Sequence, residues 1–128
     1  MFDKKKKEIT ENLISSFLEA GNISLELRKK GLKKEIKFDN TPVTNGDIEV
    51  NNLITKKIRK ITPEIPIVSE ESSENKLNES LKTFWLIDPI DGTTNFIHGI
   101  PLIGIVVSKI VDNEISDGVI YNLSLIHI

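Results

Sequence analysis

Cysteine is absent from the 128 residues, which excludes disulfides, thiolate zinc sites and a cysteine nucleophile and agrees with a reducing compartment. Aromatic residues make up only 5% of the chain, so there is little from which to build the stacking platforms that hold single-stranded nucleic acid. No apolar run approaches the length needed to span a bilayer. Lys4 to Lys7 resemble the charged start of a secretory signal, yet the "EITENLISSFLEAGN" behind them is too polar for a signal's apolar core. The expectation is a cytoplasmic chain with neither nucleic acid nor membrane among its partners.

What is present fits a globular protein: 38% hydrophobic and 28% charged residues at a net charge of -2. The charge is unevenly spread. Residues 1–60 carry 14 Lys and Arg against 9 Asp and Glu, whereas residues 61–128 carry 3 against 10. The basic side chains fall at helical spacing among apolar ones, as on a solvated helix face.

Ile9, Leu13, Ile14, Phe17 and Leu18, then Ile23, Leu25 and Leu27, give a helical period from about Glu8 to Gly31, interrupted near Gly21. The turn-rich "EIKFDNTPVTNGD" predicts a loop, with Thr41 extended before Pro42. Ile48, Leu53, Ile54, Ile58 and Ile61 predict a second amphipathic helix from Asp47 to about Ile61, stopped by Pro63. "IPIVSEE" and "TFWLID" read as strands separated by an exposed connection over 72–82. "TTNFIHG" predicts a helical turn or two, and two β-rich runs flank Asp112-Asn113 as a hairpin. Helices first and strands afterwards predict a layered α+β arrangement.

Acidic residues stand at the ends of these elements: Asp47 at a helix start, Glu70 and Glu71 after one strand, Asp88 and Asp91 after another. If the two strands are parallel neighbours, the acids emerge at one edge. Such a cluster repels itself unless neutralised, and its hard oxygen donors suit Mg²⁺, an ion that often takes a phosphate oxygen as well. Pro89 is expected to end ladder pairing so that Asp88 and Asp91 converge with the Ile90 carbonyl turned inward. Gly92 permits close backbone approach, and amides opening a helix at Thr93 would face an anion. Each feature alone has a plainer reading. Asp91-Gly92 suits a turn, Glu70-Glu71 suits surface charge, Asp47 suits a helix cap, and His98 beside Phe96 suits packing. Their combination is arranged for metal-assisted hydrolysis of a phosphate ester.

The run "DPIDGTTNFIHGIP" from Asp88 to Pro101, with "TPVTNGD", "IPIVSEES" and "DGVIYN" in order, resembles the inositol monophosphatase family over about residues 8–122. The resemblance implies an α/β sandwich of that type, here its N-terminal half, with two helices and then an antiparallel-rich sheet. It implies Mg²⁺ as cofactor, held by Glu70, Asp88, the Ile90 carbonyl and Asp91, and a small phosphorylated substrate. Thr93 with Asp47 would activate the attacking water, assisted by Glu70, and no phosphoenzyme would form. Gly92, Thr93, Asp91 and the basic Lys37 would serve the substrate. It further implies a homodimer at full length. Inositol monophosphate is the expected substrate, 3'(2'),5'-bisphosphate the alternative, and a non-catalytic fragment the reading of another class.

Two departures accompany the likeness. Gly46 stands where the family has Ala or Thr before the helical Asp, which predicts a loosened helix start. The family's α/β second half, with a further metal-binding Asp and most substrate-selecting residues, does not follow, so the fragment is expected to be inactive alone. Residues 1–122 are read as the N-terminal portion of the domain. "LSLIHI" over 123–128 is read as translated transposase sequencing adapter, a non-native tail.

Overall fold

A computed structural model describes residues 4–71, 81–100 and 103–122. Helix α1 runs unbroken over Lys4–Lys30, where the sequence predicts an interruption at Gly21. A helical glycine costs about 1 kcal/mol relative to alanine. Burial of Phe17, Ala20 and Leu25 on either side of Gly21 offsets that cost, and the Ser24 hydroxyl donates to the Gly21 carbonyl at 2.8 Å. Gly31, at φ 100°, ends the helix.

The segment expected to be a loop contains a short hairpin, β1 over Lys34–Ile36 paired antiparallel with β2 over Pro42–Thr44. Its turn is closed by Asp39, whose carboxylate accepts from the Thr41 amide at 3.1 Å and from the Thr41 hydroxyl at 2.5 Å. Strands of three residues are too short to show a period of two, and with β1 exposed throughout no apolar run marks them among the turn residues. Helix α2 then spans Asn45–Ile61.

Strands β3 (Ile67–Ser69), β4 (Thr83–Asp91), β5 (Gly104–Val111) and β6 (Glu114–Asn122) form one sheet in that order. The β3–β4 pair is parallel, which meets the condition for bringing the acids to one edge, and the others are antiparallel. Asp112 and Asn113 make the predicted tight turn, with φ of 49° and 67°. The one-turn helix α3 (Thr93–Ile97) follows β4.

Helices α1 and α2 cover one face of the sheet, which gives the expected layering. Leu13 and Phe17 from α1, Val50, Ile54 and Ile58 from α2, and Trp85, Ile87, Ile105 and Val107 from the strands are buried together. Trp85 satisfies its indole N–H on the Thr62 hydroxyl at 3.0 Å. On the other face Leu86 is 41% and Ile120 75% exposed. Among the described residues no helix is long and apolar enough to cross a membrane. Most of the 72–82 connection and the whole 123–128 tail lie outside the described residues.

Candidate active site

Asp47 is not the helix cap. Thr44 is, and Asp47 sits at the third helical position, closing a capping box. Its Oδ2 accepts from the Thr44 amide at 2.9 Å and the Thr44 hydroxyl at 2.6 Å, while its own amide donates to Thr44 Oγ1 at 3.3 Å. Asp47 is 1% exposed. Gly46 does not loosen this start. It is buried, and a Cβ there would lie 2.9 Å from Cε2 of Phe96, a side chain with no exposed surface. The glycine lets α3 close against α2, and the Arg28 guanidinium lies 5.5 Å from the centroid of the Phe96 ring.

That closure brings the Thr93 hydroxyl to Asp47 Oδ1 at 2.8 Å, with the Ile90 carbonyl a longer alternative acceptor at 3.2 Å. A hydroxyl has a single proton, and the shorter, charge-assisted bond to the carboxylate takes it. The lone pairs of Thr93 Oγ1 are then left as acceptors. Gly92, at φ 90°, makes the turn into α3 that only a residue tolerant of the left-handed region can make.

Strand β4 does not stop at Pro89. Asp88 pairs with Val106 and Asp91 with Gly104, so β4 carries one residue more than β5 between those pairs, and Pro89 sits in the resulting bulge. Beyond Ile87 the β3 side of β4 has no ladder partner among the described residues, and there a missing N–H is tolerated. The bulge turns the chain as the proline was expected to do.

Glu70, Asp88, Ile90, Asp91, Gly92 and Thr93 line one cleft of about 290 Å³, joined by Thr41 and Pro42 from the hairpin and by Thr94 and Asn95. The sequence pattern carries no sign of the hairpin wall, because its strands leave none. Lys37 is placed beside the acids: its ammonium is 3.4 Å from Glu70 and 3.2 Å from Glu71. Burial pushes the Lys37 ammonium down, and the carboxylates of Glu71 and Glu70 outweigh that to hold it above its usual range. Glu71 is also raised, since burial of its side chain prevails over the attraction of Lys37 and Asp47 and Glu70 add repulsion. His98 is exposed and does not line the cleft.

Asp88 is pushed up to about 7, first by burial, then by the adjoining Glu70 and by the charges of Asp91 and Asp47. Among the described residues its Oδ1 is buried without a hydrogen-bond partner. An orphaned acid oxygen in a cleft of carboxylates is the donor chemistry a hard divalent cation fits. As they stand, no three acidic side chains among the described residues converge on one point; they line the cleft without closing on an ion.

The sequence profile of the inositol monophosphatase family matches residues 5–126. The chain is 35% identical over 115 residues to the 3'(2'),5'-bisphosphate nucleotidase CysQ of Aggregatibacter actinomycetemcomitans, covering 88% of this chain and 43% of that protein. The fold superposes on the Thermotoga maritima IMPase with a TM-score of 0.76 at 31% identity, covering 88% of this chain and 43% of that one. It also superposes on an IMPase/NADP phosphatase complexed with Mg²⁺ and phosphate, with a TM-score of 0.80 at 22% identity and coverage of 93% and 45%. The chain thus spans less than half the length of these relatives. With a profile match across nearly all its residues and the same arrangement of helices and sheet, the chain belongs to the inositol monophosphatase family.

Proposed function

We propose that the full-length protein is a Mg²⁺-dependent phosphomonoesterase that hydrolyses a small phosphorylated metabolite. The observation that carries this reading is the Thr93 hydroxyl donating to the buried Asp47 carboxylate at 2.8 Å, in a cleft that Thr93 shares with Glu70, Asp88 and Asp91. Glu70, Asp88, Asp91 and the Ile90 carbonyl are the groups that would hold the cation. When bound, Mg²⁺ supplies positive charge to the phosphate and lowers the pKa of water.

The chain's own groups divide the remaining work. Asp47, fixed by Thr44, holds the Thr93 proton, so Thr93 Oγ1 faces the cleft as an acceptor that orients a water through one of its hydrogens. Proton movement then runs from water to Thr93 and from Thr93 to Asp47, with Glu70 a second acceptor at the cleft wall. The amides of Gly92 and Thr93, at the turn into α3, are the phosphate's contacts. Lys37 adds positive charge beside Glu70 and Glu71.

Inositol monophosphate is the substrate we assign, supported by the "DGTTNFIHGIP" run. A 3'(2'),5'-bisphosphate is the second reading, favoured by the 35% identity to a nucleotidase of that specificity. Phosphate release from inositol 1-phosphate and adenosine 3',5'-bisphosphate, with Mg²⁺ and with chelator, tests both. Turnover of one ester that chelation abolishes is expected. Chelator-resistant turnover, or none with either ester, overturns the metal-dependent reading or the substrate classes respectively.

A further inference from the structure

Strand β3 ends at Ser69, and the chain leaves the sheet through Glu70, whose amide still bonds the Ile87 carbonyl at 3.2 Å. Ser69 and Asn51 are each 6% exposed. The Ser69 hydroxyl donates to Asn51 Oδ1 at 2.5 Å and accepts from the Glu71 amide at 3.3 Å. The pair satisfies its own buried polar groups and, through the Glu71 amide, ties down the chain where it leaves the sheet. Asn51 stands one turn beyond Asp47 on the buried side of α2.

We infer that Asn51 and Ser69 are positioning residues: from the helix that carries Asp47, they fix the turn that aims Glu70 into the cleft and Glu71 toward Lys37. Asn51 Oδ1 takes the one hydroxyl proton, which orients the Ser69 lone pairs toward the Glu71 N–H. That contact fixes the backbone just past Glu70, where the sheet ladder no longer does. Without it Glu70 stays on the chain but loses a defined direction. Outer partners bonded directly to a metal ligand govern affinity by about 10–100-fold, and a contact one residue removed, on the Glu71 amide, belongs at the lower end of that range.

The inference rests on the metal-dependent reading of the cleft, and its test separates the two. In full-length protein, Ser69→Ala and Asn51→Leu are expected to weaken Mn²⁺ binding, read by electron paramagnetic resonance, by about tenfold or more. The Glu71 amide should also lose hydrogen-exchange protection in both variants. Ser69→Thr, which keeps the hydroxyl, should restore affinity and protection. At saturating Mg²⁺, kcat should return to within about threefold of the parent. Unchanged Mn²⁺ affinity in either folded variant, or a Ser69→Thr protein as weak as Ser69→Ala, overturns the assignment. If one variant fails to fold, the other decides. A parent protein that binds Mn²⁺ but hydrolyses no ester removes the proposed activity and leaves this test intact.

Discussion

At the scale of single residues, Thr93 and Asp88 separate two kinds of work. The Thr93 hydroxyl is held by Asp47, and in the proposed reaction it acts on water. Thr93→Ala in full-length protein is expected to lower kcat by about two to four powers of ten and to change Mg²⁺ affinity little. Full turnover with weakened Mg²⁺ binding would transfer Thr93 to the cation's shell. Asp88 tests the electrostatics. Its carboxyl is raised to about 7 from an unfolded value near 4, so in metal-free protein the folded state holds the proton more tightly. Its stabilising contribution is complete below about pH 4 and is lost as pH rises toward 7. Asp88→Asn should therefore raise the Tm of chelator-treated protein at pH 8, give no gain at pH 4, and abolish Mg²⁺-dependent turnover. An equal Tm difference at both pH values, or a fall at pH 8, contradicts the raised carboxyl.

At the scale of elements, the meeting of α2 and α3 depends on Gly46. Alanine there returns up to about 1 kcal/mol of helix preference, whereas forcing a methyl to 2.9 Å from the buried Phe96 ring costs about 1–3 kcal/mol. Gly46→Ala is expected to lose stability in urea titration and to lose turnover, because the displaced helix carries Thr93. Phe96→Leu in the same chain should recover part of the stability. Wild-type stability in Gly46→Ala would mean that the ring yields freely. Where periods were long, the elements were legible in advance: α2 and the β5–β6 hairpin with its Asp112-Asn113 turn. The parallel pairing that gathers Glu70 and Asp88 was open in the sequence and is given by the sheet register. The β1–β2 hairpin was hidden because, unlike the buried β3, its β1 is exposed throughout and carries no apolar run, and with it the Thr41 and Pro42 wall of the cleft. The continuity of α1 past Gly21 was hidden because tertiary packing outweighs a glycine's local penalty. The bulge at Pro89 and the Ser69–Asn51 bond depend on register and burial, and no spacing in the chain reports either.

At the scale of the whole molecule, the chain spans less than half the length of its relatives, and its sheet presents an outer face. Asp88 pairs in register with Val106, and Val106 with Ile120, so an apolar row leads from the exposed Ile120 to the acid of the cleft. Residues 1–122 alone are expected to self-associate in light scattering, to bind Mg²⁺ weakly and to hydrolyse neither test ester. Leu86→Ser with Ile120→Ser should reduce the association. A monomeric fragment with Mg²⁺-dependent turnover near that of the full-length protein would show that nothing beyond these residues is needed. The sheet's topology also bears on the order of events in time. Glu70 stands as far before Asp88 in the chain as Val106 stands after it, so the parallel pairing of β3 with β4 and the antiparallel pairing of β4 with β5 close loops of the same length and form together. The mutual repulsion of Glu70 and Asp88 is then felt on both sides of the folding barrier. In stopped-flow measurements on metal-free protein, Asp88→Asn should speed folding and slow unfolding; an unchanged folding limb would place the meeting of the acids after the barrier.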